Sequence, residues 1–200
     1  MRKLLGFILA AVLLCSIVSS SFAAISGDEL KSYNTPFLIT NAGQGPGGKM
    51  ARLLTTQAKT VELDTDFFYH AEPVEADLKA REYACLVVVI GSTDKGLGAS
   101  GITIDDEIRR LEAMVATAKE IELPIVAVLL EKDKRSDIKT NANERCIDVI
   151  CPAAEWMVVV AEGNKDGRFD ELKATYDIPL TVLDTTMDFT ELAKNVFVIQ

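Results

Sequence analysis

The chain has 200 residues, a formal net charge of −9 and a single histidine. That length suits one domain with a substantial core and is short for two. The acidic balance excludes nucleic acid and anionic membrane surfaces as partners, because both would repel the overall field of the protein.

Arg2 and Lys3 precede an apolar run over 4–18, and Ser21, Phe22 and Ala23 follow as a small-x-small site. A basic start, an apolar centre and such a site make an export signal. Residues 1–23 are therefore expected to be removed, leaving the remainder in the periplasm or outside the cell. The run is short for a span of about 20 residues, so no stable membrane anchor is expected after cleavage. Leu14 is too bulky for lipoprotein processing at Cys15, and there is no twin arginine. The chain would cross unfolded and acquire any cofactor afterwards. The sequence names no cofactor.

Three cysteines remain beyond the signal, Cys85, Cys146 and Cys151, an odd number that argues against a disulfide framework. Cys146 and Cys151 can pair only if a helix ends between them, which Pro152 allows; otherwise they are buried thiols.

Residues 24–36 read as a lead-in that docks on the body. An apolar strand over 37–40 then breaks into a glycine turn and a helix over 49–59, with Met50, Leu53, Leu54 and Ala58 on its apolar side. Val61 and Leu63 alternate with Glu62 and Asp64 as in an edge strand, and Phe67, Phe68 and Tyr69 suit packing better than ligand stacking. Pro73 opens a helix with Val74 and Leu78 inward. The runs 86–90, 125–130, 157–160 and 180–183 are short, β-branched and nearly unbroken, as in parallel strands covered on both faces. Helical patterns occupy 103–121, 136–150, 167–176 and 188–197.

This alternation predicts one doubly wound, three-layer α/β domain over 37–200, with a mostly parallel sheet of five to six strands. Right-handed crossovers favour the order 2-1-3-4-5 with the sixth strand beyond. The first and third strands are then neighbours, and a crevice opens between the loops 41–48 and 91–101.

Gly43, Gly45 and Gly48 satisfy the dinucleotide spacing, with Asp64 placed as a ribose acid, but the polar Thr40 and Asn41 and the stiff Pro46 fit it poorly. Gly43, Gly48 and Lys49 also match most of a P-loop, where Met50 replaces the hydroxyl residue that would hold magnesium. The first turn of the following helix carries Lys49 and Arg52 and no carboxylate, so its positive end is open to an anion. Asp105, Asp106 and Glu107 instead fill the start of the helix after the second loop. The expected site is therefore Asn41, Gly43, Gln44, Gly45, Gly47, Gly48 and Lys49, with Ser92, Thr93, Lys95 and Gly96 opposite, and its expected occupant is a small anionic or polar ligand. The plainer reading is that the glycines only make tight turns.

Catalytic signals are thin. His70 would have to cross the crevice to reach Ser92 or Ser100. No His and Cys stand at metal-ligand spacing. Glu131, Glu162, Asp166 and Asp184 all follow later strands and could hold a hard cation, act as a carboxylate pair or simply be solvated. Neither loop has an aromatic for a flavin to stack on. A non-catalytic binder is the leading expectation. A dinucleotide-dependent oxidoreductase, a Ser92 hydrolase and a protein-interaction module are the alternatives.

The segments Ile-Thr-Asn-Ala-Gly-Gln-Gly-Pro over 39–46 and Val-Ile-Gly-Ser-Thr-Asp-Lys-Gly-Leu-Gly-Ala-Ser-Gly-Ile over 89–102 resemble a family of exported bacterial domains of unknown function. The resemblance runs from about Pro36 to the end. It implies a flavodoxin-like or Rossmann-like fold and supplies no reaction.

Overall fold

A computed structural model describes residues 24–199, and the expected export signal lies outside them. Among the described residues nine strands form: β1 (Ile25–Gly27), β2 (Tyr33–Asn34), β3 (Phe37–Ala42), β4 (Phe67–Tyr69), β5 (Leu86–Ile90), β6 (Ile125–Leu129), β7 (Trp156–Val160), β8 (Leu180–Leu183) and β9 (Phe197–Val198). Seven of them make one sheet in the order β1-β8-β7-β6-β5-β3-β4, while β2 and β9 pair separately. All neighbours in the large sheet run parallel except β1, which is antiparallel to β8.

The fold is thus α/β with a seven-stranded mixed sheet and a two-stranded companion. It is not the five- to six-stranded sheet in the flavodoxin-like or Rossmann-like order 2-1-3-4-5 that the sequence suggested. The difference comes largely from the lead-in, which supplies β1 and β2. Asp28 fastens β1 to the sheet: its carboxylate accepts from the Leu180 N–H at 2.7 Å and from Lys173 Nζ. These bonds, with that from Leu180 the strongest cause, hold its pKa below the ordinary aspartate value.

Successive residues of a strand point to opposite faces, so every inner strand feeds two cores. Leu38, Val88, Ile90, Ala127 and Met157 face one core and Phe37, Ile39, Val87, Val89 and Val158 the other. The first core is closed by α2 (Glu75–Lys79), α4 (Ile104–Glu120), α5 (Ala142–Ile150) and α6 (Arg168–Tyr176) through Leu78, Leu111, Ile147 and Phe169. The second is closed by α1 (Gly47–Ala58) and α7 (Phe189–Val196) through Ala51, Leu54, Phe189 and Leu192. Phe37 stacks with Phe67 and Phe197, at centroid distances of 5.4 and 3.8 Å. A short helix, α3 (Asp94–Ala99), lies in the loop after β5.

Several local expectations change. The edge strand is Phe67–Tyr69; around Leu63 there is only a single bridge to Phe67, because Asp64 turns the chain with φ of 64°. Leu53 and Val74 face outward. The helix expected from 136 starts at Ala142, behind an Asn141 cap whose side chain accepts from the Asn143 N–H. Cys85, Cys146 and Cys151 are free and buried, and burial pushes the Cys146 and Cys151 thiols up to about 12. Among the described residues no helix is long and apolar enough to cross a membrane.

Candidate functional site

The turn after β3 and the turn after β5 lie side by side at the carboxyl end of the sheet, and backbone bonds close them together. The Gly91 N–H donates to Ala42 O at 2.9 Å and the Gly45 N–H to Gly91 O at 2.7 Å. A Cβ on Gly43 would stand 2.5 Å from Gly91 O and 2.8 Å from Ser92 Cα, and one on Gly45 2.5 Å from Gly91 O. These glycines are where two backbones touch, which only residues without Cβ allow.

Carboxylates of the chain itself stand where the turn would receive an anion, and one of them takes a backbone donor. The Gly43 N–H donates to Glu107 Oε1 at 2.6 Å. Glu107 is only 1% exposed and also accepts from Arg110, whose Nη2 reaches Asn41 O at 2.9 Å. At the start of α1 the carboxylate of Glu131, from the end of β6, stands among the glycines. Its Oε1 lies 2.7 Å from where a Gly45 Cβ would be, 3.0 Å from that of Gly47, and against that of Gly91. The expected vacancy at the cationic helix entrance is therefore filled from within. Burial raises the pKa of Glu131, while Lys134 and the Gly47 N–H pull the other way. No formed hydrogen bond reaches Oε1.

The other expected residues have mostly local tasks. Asn41 is buried and its Nδ2 donates to the Tyr69 hydroxyl at 3.3 Å, with its Oδ1 pressed against Gly48. Gln44 bridges outward to Glu72 and accepts from Ser100. Ser92 is wholly buried and its N–H donates to Asn143 Oδ1 at 3.0 Å. Thr93 caps α3 by accepting from the Gly96 N–H at 3.0 Å. Lys49 and Lys95 are exposed and make no ion pair among the described residues. His70 is also exposed, with Nδ1 3.8 Å from Asp77, so Ser92 has neither solvent access nor an imidazole partner.

Open space lies one strand further along. A cleft of about 450 Å³ sits over the carboxyl ends of β6, β7 and β8, with Met50, Leu130 and Val160 as its apolar lining and Glu131, Glu162, Asp184 and Thr186 among its polar groups. Arg135 shapes the region. Its side chain is 8% exposed, bonds Glu144 at 2.8 Å and Asp166 at 2.7 Å, and lies over the Phe169 ring, so that the loop after β6 is tied to the loop after β7. Glu131, Glu162 and Asp184 were visible in the sequence as acids following strands, whereas the role of Glu107 was hidden among helix-start acids.

Architecture and cleft together define an α/β domain with a cleft above the carboxyl end of a mixed sheet, beside a glycine turn against which its own side chains pack. The chain belongs to the DUF6305 family, a domain of unknown function, whose model matches residues 34–197. No curated protein matches it. Among solved structures it is similar to a serine-to-alanine mutant of the esterase AlinE4, at 13% identity over 78% of this chain and 77% of that one, with a TM-score of 0.30. So loose a likeness transfers no residue roles.

Proposed function

We propose that this domain is a non-catalytic binder of a small polar ligand, held in the cleft over β6, β7 and β8 with the glycine turn as its neighbour. The observation that carries this reading is the cleft of about 450 Å³ over the ends of β6, β7 and β8, whose wall residue Glu131 also stands against the expected glycine site. In parallel sheets ligands sit outside the carboxyl ends of the strands, where loops can vary without disturbing the core. Ser92 is fully buried and the exposed His70 faces Asp77, which lends no support to a hydrolase.

The test is an amide-resolved NMR titration of the folded domain with a panel of amines, carboxylates, sugars and nucleosides. A ligand should move the amides of Leu130, Glu162 and Thr186, and Asp184→Trp, which fills the cleft from an exposed position, should abolish the response while leaving the melting temperature in place. A panel with no response there, or responses that survive the plug, would contradict the reading.

A further inference from the structure

We draw no further inference here: the strongest candidate, the groove of about 490 Å³ that Ala24, Ile25 and Leu30 line against Glu191 and Asn195 of α7, carries nothing because nothing in the structure shows what covers it.

Discussion

Replacing Glu107 with alanine is expected to cost about 3–5 kcal/mol of folding stability, the range for removing one member of a buried ion pair. The reason lies in what the carboxylate leaves behind. Glu107 alone satisfies the buried Gly43 N–H and neutralises Arg110, whose side chain is 21% exposed and whose Nη1 already lacks a partner. Losing it strands a cation and a backbone donor together. Glu107→Gln keeps an acceptor oxygen and the shape, so its cost should be smaller, about 1–3 kcal/mol. Urea unfolding with unchanged m-values would measure both. A Glu107→Ala protein within about 1 kcal/mol of the parent would mean that the pair does not hold the turn.

Gly43→Ala should be nearly as damaging, by about 2–5 kcal/mol from unfavourable φ and overpacking combined. Its φ is +96°, and the added methyl would meet Gly91 O at 2.5 Å and Ser92 Cα at 2.8 Å. Both obstacles are backbone, so relief requires β3 and β5 to part at their carboxyl ends. Gly98→Ala is the control. That glycine lies in α3 with nothing within 4 Å of the new methyl, and the change should be neutral or slightly stabilising. Equal effects at the two positions in thermal unfolding would refute the claim that Gly43 is a point of backbone contact.

These two residues also show what could be read from the sequence. The inner strands were legible because each is a run such as Leu-Val-Val-Val-Ile that must be buried on both faces. The glycine turn was legible too, and the structure does bring its partner loop beside it. The purpose of the glycines was not, because the groups that approach them come from far away in sequence. Gly43 meets Glu107, 64 residues on, and Gly45 and Gly47 meet Glu131. Glu107 looked like one of three interchangeable acids, yet Asp106 closes the cap on Thr103, Asp105 pairs with Arg145, and only Glu107 turns inward. Helix periodicity contains that answer, since Glu107 lies on the side of α4 that carries Leu111 and Met114. The strands β1, β2 and β9 were missed for a different reason. At two or three residues each they have no period to detect, and their pairing depends on Asp28 and on Tyr33 and Asn34 meeting Phe197 and Val198, far away in sequence.

The cleft was legible only in part. Glu131, Glu162 and Asp184 could be placed after strands, but which strands adjoin, and that Arg135 ties their loops together, are tertiary facts. The three acids line one cavity because β6, β7 and β8 are consecutive neighbours in the sheet.

The most direct measurement is a titration of the folded domain with inorganic phosphate, following the amide resonances of Gly43, Gly45 and Gly47. With Glu107 and Glu131 in place those signals should stay put through tens of millimolar phosphate, and in Glu131→Ala the Gly45 and Gly47 signals should move and saturate as the ion enters the vacated seat. Saturable movement of the same signals in the unmodified protein would show the turn open to outside anions and would contradict the account.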